Sequence, residues 1–134
     1  MKRSDSRETA FVLLFETSFR TDEEPAEILA GTVGNMELET DEYSEKIFYD
    51  VAARTDELDS EIKPYLVGRT IERLGRAALV AMRIAVYEIK YVDDVPDSVA
   101  INEAVELVKK YDLDSAAASY INGVLGSYVR NRSK

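Results

Sequence analysis

The stretch that decides the fold runs over residues 73–125 and contains three helical patterns in succession. The first includes AALVAMRIAVYEIKYV (residues 77–92), which is nearly without charge. The second, VAINEAVELVKKY (99–111), follows a Val-Pro pair, and the third contains YINGVL (120–125). Apolar residues recur at intervals of three and four, as on one face of a helix. Because a helix without a polar face is normally surrounded by others, the first pattern predicts a central helix over about residues 76–91.

The same spacing dominates the rest of the chain and predicts an all-α protein. A first helix is expected to begin near Asp5, with Glu8 three residues on as in a capping box. A later helix is expected from about Asp41, with an interruption near Thr55. Pro64 predicts a boundary or bend, because proline does not fit a helix interior.

Composition limits the class of protein. The chain has 134 residues, 46% of them hydrophobic, which fits one compact body and excludes a disordered one. It has no cysteine and no histidine, so disulfides, thiolate metal sites and the commonest general base are absent. No apolar segment is long enough to span a membrane, and no secretory signal is evident. A reducing cytoplasm is the expected location.

The charge is unevenly distributed. The chain carries a net charge of −9, but residues 22–61 hold fourteen acidic and two basic residues, a net of −12. The remainder is therefore mildly basic, with a net of +3. The acidic segment is either a solvated helix surface or a docking face for a basic protein, and the two can coexist.

The sequence favours a protein that is not an enzyme and needs no cofactor or metal. Glu103 and Glu106 could pair as acid and base, but no histidine, cysteine, phosphate-binding glycine loop or serine nucleophile accompanies them. No spacing of oxygen ligands resembles a cation-binding loop.

Arg83 and Glu88 are isolated charges within the central apolar pattern. Each needs a partner, because an unpaired buried charge costs several kcal/mol. Glu103, beside Asn102 on the following helix, is the expected partner of Arg83. These four residues are predicted to form a polar network that fixes how helices dock, with a direct ligand role as the alternative.

Two groups of side chains could contact a nucleic acid. Lys2, Arg3 and Arg7 make the amino terminus basic, although such termini are often only solvated. Tyr120 begins the last helix close to Asn122, where an aromatic ring could stack on an unpaired base and the amide could read its edge. Tyr120 could equally pack beneath that helix with its hydroxyl at the surface.

The ordered motifs of residues 73–125 resemble those of the NusB family of bacterial transcription antitermination factors. They are an arginine in an apolar helix that ends in Tyr-Glu, then Val-Pro, Ile-Asn-Glu-Ala and an aromatic residue before Asn-Gly-Val-Leu. The resemblance implies about seven helices in two packed three-helix-like bundles, here subdomains of about residues 1–67 and 68–134. It also implies pairing with the ribosomal small-subunit protein NusE, binding to boxA single-stranded RNA of nascent ribosomal RNA transcripts, and a place in the RNA polymerase antitermination complex.

The resemblance also assigns roles to residues. The RNA side would comprise Lys2, Arg3, Arg7, Arg76, Tyr120 and Asn122. The protein-partner side would comprise Glu8, Phe15, Arg76 and Ala78.

Two features depart from the family pattern. Ser4, Asp5 and Ser6 interrupt an amino terminus that is more densely basic in the family, which predicts weak RNA binding by the chain alone. The connection around residues 116–118 is longer and less polar than is usual. Two alternatives therefore remain: an interaction module, possibly a homodimer, that has lost RNA binding, or a detached module related to ribosomal RNA methyltransferases.

Overall fold

The computed structural model describes residues 1–36 and 38–132, and over these residues it contains seven α-helices and no strand. Two 3-10 turns, Lys63–Tyr65 and Ile71–Arg73, lie between α4 and α5. Glu37 of the acidic segment and residues 133–134 lie outside the described residues. The all-α prediction is confirmed. The helices are α1 (Arg3–Thr17), α2 (Pro25–Met36), α3 (Glu42–Ala53), α4 (Thr55–Ile62), α5 (Arg76–Tyr91), α6 (Asp97–Tyr111) and α7 (Ala117–Arg132).

The chain divides into two compact units, Met1–Arg54 and Thr55–Lys134. The sequence placed a subdomain boundary later, after residue 67. The difference arises from α4, which packs against α5 and α7 and so belongs to the C-terminal unit.

In the N-terminal unit, α1 packs against both α2 and α3. The first helix begins at Arg3, two residues before the predicted start, and its N-cap Lys2 makes no side-chain cap. The expected capping box of Asp5 and Glu8 is therefore wrong. The buried apolar side chains of this unit are Ala10, Phe11, Leu13, Leu14, Ile28, Ile47, Phe48 and Val51.

A capping box does form, at the start of α3. The Asp41 carboxylate accepts a hydrogen bond from the Ser44 N–H at 2.9 Å, and the Ser44 hydroxyl accepts one from the Asp41 N–H. Ser6 of α1 donates to the same carboxylate at 2.7 Å. These bonds, first of all the one from the Ser44 N–H, hold the pKa of Asp41 below its ordinary value. Because the folded pKa is the lower one, this stabilisation is complete at neutral pH and is lost as the pH falls through it.

In the C-terminal unit, α5 is the central helix, as its apolar sequence predicted. It packs against α4, α6 and α7. Ile121, Val124, Leu125 and Tyr128 of α7 are buried, as expected. In α6, Ala104 and Val108 are buried, whereas Ile101 and Val105 are half-buried. The buried residues of α5 are Ala77, Ala78, Val80, Ala81, Met82, Ile84, Ala85, Val86, Tyr87, Glu88 and Ile89.

Carboxylates of α4 pair with the basic side chains of α5. Arg83 makes a bidentate pair with Asp59, with Nε–Oδ1 and Nη2–Oδ2 distances of 2.7 and 2.8 Å. Lys90 Nζ lies 2.8 Å from Glu57 Oε2 and 2.9 Å from Glu61 Oε1. The hydrogen bonds to Glu57 and Glu61 raise the pKa of Lys90. Part of the acidic segment therefore serves the inside of the C-terminal unit.

The prediction that Arg83 pairs with Glu103 is wrong, because Asp59 of α4 occupies both sides of the guanidinium fork. Asn102 is exposed and Glu103 is half-buried on α6. Glu88 is fully buried, at 0% exposure. Among the described residues, every buried side-chain nitrogen or oxygen has a hydrogen-bond partner, so the Glu88 carboxyl is satisfied within the protein.

Membrane insertion was tested on the helices themselves. None of those formed by the described residues combines the length and the apolar character needed to cross a bilayer.

We predict that the Arg83–Asp59 pair stabilises the C-terminal unit more than an exposed ion pair does. In a double-mutant cycle of Arg83→Met and Asp59→Asn, the coupling should be about 1–2 kcal/mol, because both groups are desolvated and doubly hydrogen-bonded. Their side chains are 17% and 16% exposed. Chemical denaturation of the four proteins measures it.

The matched control is the Lys109–Glu106 pair of α6, whose side chains are 60% and 58% exposed. Its coupling should stay below about 0.5 kcal/mol. Equal coupling in the two cycles would contradict a special role for the α4–α5 pair.

Candidate functional site

Tyr120 lies in the first turn of α7, and its hydroxyl is fixed at the surface. The hydroxyl accepts a hydrogen bond from the Val67 N–H at 3.1 Å and donates one to the Val67 carbonyl at 3.0 Å. The side chain as a whole is half-buried. The ring is thus held in place without being enclosed in the core, which leaves part of it accessible to a ligand.

Arg69 extends this aromatic position with a positive charge. Its guanidinium carbon lies 5.3 Å from the centre of the Tyr120 ring, within cation–π range. Gly68, between Val67 and Arg69, has a φ of +71°, a conformation that favours glycine. The turn at Gly68 lets one short segment bind the Tyr120 hydroxyl with its backbone and cover the ring with the next side chain.

Sequence reasoning missed Arg69. Residues 63–76 contain four basic residues and one acidic residue, the reverse of the preceding segment. That change of sign was the available signal. It was overlooked because the segment is irregular and has no helical period that would assign a face.

An open cleft of about 320 Å³ adjoins Tyr120 within the C-terminal unit. Its walls come from the segment before α5, the start of α5, the α6–α7 connection and the start of α7. The lining residues are Arg69, Leu74, Gly75, Ala78, Asp112, Asp114, Ala116, Ala117, Ser119 and Tyr120.

The other predicted site residues of this unit are less uniform. Arg76 is exposed at the first position of α5, and Asn122 is exposed on α7. Ala78 is buried but contributes to the cleft wall. The Asn-Gly pair was expected to mark close approach of a backbone or a ligand. No protein atom lies within 4 Å of a Cβ added at Gly123, so the backbone alternative is wrong.

The three amino-terminal bases differ in exposure. Lys2 is exposed, and Arg3 is exposed with its guanidinium carbon 4.0 Å from the centre of the Tyr43 ring. Arg7 is only 3% exposed and lies on the buried side of α1. Lys2 and Arg3 are therefore the accessible members of this group.

The predicted protein-partner residues of the N-terminal unit lie on α1. Glu8 and Phe15 are half-buried. The Phe15 ring stacks against Phe11 at 6.0 Å between centroids and meets Phe19 edge-on at 5.1 Å. Phe19 is 58% exposed, so the row of rings reaches the surface at the end of α1.

This arrangement matches known proteins over nearly the whole chain. A model described as the NusB family matches residues 4–130. The chain belongs to the NusB family. The resemblance read from the sequence motifs is confirmed.

Relatives and solved structures agree with this assignment. The chain is 40% identical over 134 residues to the transcription antitermination protein NusB of Clostridium novyi, covering 97% of this chain and 99% of the relative. T. maritima NusB superposes with a TM-score of 0.85 at 26% identity, covering 98% and 92% of the two chains. A chain from a crystal structure of the antitermination factors NusB and NusE in complex with dsRNA gives a TM-score of 0.82 at 29% identity, with 96% of each chain covered.

We predict that the Tyr120 hydroxyl protects the Val67 amide. In Tyr120→Phe the Val67 N–H loses its acceptor, so its hydrogen exchange should accelerate about fivefold, the equivalent of one net hydrogen bond of ~1 kcal/mol. Amide exchange followed by NMR measures this.

Tyr49→Phe is the control, since Tyr49 is an exposed tyrosine of the N-terminal unit. It should leave the Val67 amide unchanged. Unchanged exchange in Tyr120→Phe would contradict the Tyr120–Val67 bond.

Proposed function

We propose that this chain is a non-catalytic transcription antitermination factor that pairs with the ribosomal small-subunit protein NusE. The heterodimer binds boxA-type single-stranded RNA of nascent ribosomal RNA transcripts and acts within the RNA polymerase antitermination complex. The name of the Clostridium novyi relative supports the role in antitermination. The similar NusB–NusE–dsRNA structure supports pairing with NusE and contact with RNA.

The observation that carries the RNA proposal is the Tyr120 cleft. An accessible aromatic ring, braced by Val67 and covered by the Arg69 guanidinium, offers a stacking platform for an unpaired base. A base in a duplex is already stacked and cannot enter such a cleft, so this geometry favours single-stranded RNA. Arg76 and Asn122, both exposed, supply a further charge and a polar group.

The amino-terminal bases make the smaller contribution. Lys2 and Arg3 are accessible, but Arg7 is buried, which removes much of the third cation from contact with phosphate. Fewer neutralised phosphates mean weaker binding and a shallower dependence on salt. We therefore propose that the chain alone binds RNA weakly and that NusE completes the RNA-binding surface, as expected when two modest sites are linked.

Pairing with NusE is supported by two features of the N-terminal unit. Phe15 and Phe19 carry an aromatic row to the surface of α1, beside the half-buried Glu8. Aromatic side chains are enriched at the centres of protein interfaces. The acidic segment that includes α2 and α3 would also attract a basic partner and raise the rate of encounter.

Burial of Arg7 also gives some weight to a second candidate, an interaction module, possibly homodimeric, that has lost RNA binding. A detached relative of the ribosomal RNA methyltransferases is the third, and it too would be without catalysis.

Titration of a labelled boxA-type RNA separates the first two candidates. We predict weak binding by the chain alone, tight binding with NusE, and a loss of at least about tenfold for Tyr120→Ala in the heterodimer, as expected from one lost base stack. Tyr120→Phe keeps the ring and should stay within about threefold of the unmodified protein. Fluorescence anisotropy at fixed salt measures all four affinities.

Tyr49→Ala removes an exposed tyrosine from α3 and is the control for loss of an aromatic side chain. It should bind RNA as the unmodified protein does. If NusE left the RNA affinity unchanged, the adaptor proposal would fail and the interaction module would stand.

A further inference from the structure

The cleft beside Tyr120 contains a carboxylate oxygen that the fold does not use. Asp112 Oδ1 accepts a hydrogen bond from the Asp114 N–H at 2.8 Å. Its other oxygen, Oδ2, lies 3.4 Å from the position of a Cβ built on Gly75, and both residues line the cleft. Within the part of the chain that the structure describes, no hydrogen bond to this Oδ2 is found. The oxygen is therefore available to a donor on a ligand.

The charges of the cleft argue against a phosphate there. Asp112 and Asp114 line it together with a single guanidinium, that of Arg69. A phosphate entering between two carboxylates would be repelled. A neutral group with hydrogen-bond donors meets no such repulsion and gains a charge-assisted bond. If RNA binds at this corner, a base enters the cleft and the phosphates remain outside it.

A carboxylate acceptor beside a guanidinium donor matches one kind of base edge. Cytosine and adenine carry an exocyclic amine next to a ring nitrogen that accepts, so Asp112 can take the amine proton and Arg69 can donate to the ring. Carboxylates are the usual acceptors for the cytosine amine. Uracil presents an oxygen in place of the amine, which would face the carboxylate with two acceptors in contact.

We propose that this cleft is a base-selective pocket in which Asp112 favours an unpaired cytosine or adenine over uracil. The inference rests on the proposed RNA function and adds to it a side chain that reads base identity. Tyr120 and Arg69 supply stacking that any base can use, whereas Asp112 supplies the discrimination.

The test compares two short RNA strands, one of uridines alone and one with a single cytidine among uridines, on the full chain bound to NusE. A single cytidine suffices because the strand can slide until that base reaches the pocket. The cytidine strand should bind about tenfold more tightly, the effect of one hydrogen bond to a charged acceptor. Fluorescence anisotropy measures both affinities.

Asp112→Asn tests the residue itself. The asparagine retains an oxygen for the Asp114 N–H, which preserves the turn, but it can present an amine in place of the second carboxylate oxygen. The preference for cytidine should fall to within about twofold or reverse in favour of uridine, whose oxygen would accept from the new amine.

Asp93→Asn is the matched control, because it removes the same charge from an exposed carboxylate in the α5–α6 connection. It should keep the preference for cytidine. Equal tight binding of both strands to the unmodified complex, or an unchanged preference in Asp112→Asn, would overturn the pocket and leave the RNA function standing. Absence of binding by either strand would overturn both.

Discussion

The C-terminal unit depends on one constraint, that α5 has almost no polar face and must be enclosed by other helices. Enclosure leaves its charged side chains with little access to water, so they need partners from the surrounding helices. The carboxylates of α4 meet this requirement, Asp59 for Arg83 and Glu57 and Glu61 for Lys90. The short helix α4 is therefore held against α5, and it belongs to the C-terminal unit although it follows α3 after a single residue.

Fixing α4 on α5 also fixes the connection between them. The chain must leave α4, form two 3-10 turns and return to the start of α5, which brings residues 66–75 beside α7. There the Val67 backbone binds the Tyr120 hydroxyl, Gly68 turns the chain, and Arg69 covers the ring. The candidate site is thus a consequence of how the central helix is enclosed. Its chemistry, an aromatic ring with a guanidinium and a carboxylate around a cleft, suits an unpaired base.

Sequence reasoning succeeded where apolar side chains repeat and failed where polar ones decide. The enclosed α5 and the buried face of α7 followed directly from periodicity. The partner of Arg83 did not, because Asp59 is twenty-four residues away and looked like one more surface acid in an acidic segment. Burial of Arg7 was missed for a related reason, since a polar residue on a buried helix face is invisible to a hydrophobic pattern. Arg69 lies in irregular chain, where no period assigns a direction.

The most direct measurement is an NMR map of the isotope-labelled chain, bound to NusE, as single-stranded RNA is added. If the base enters the cleft, the largest amide shifts in the C-terminal unit should fall in residues 67–75 and 112–122, on the segments that carry Arg69, Asp112 and Tyr120. Helices α2 and α3, which are acidic, should shift little, because their charge repels phosphate. Shifts confined to α2 and α3, with the cleft unchanged at saturating RNA, would contradict a base-binding site at Tyr120.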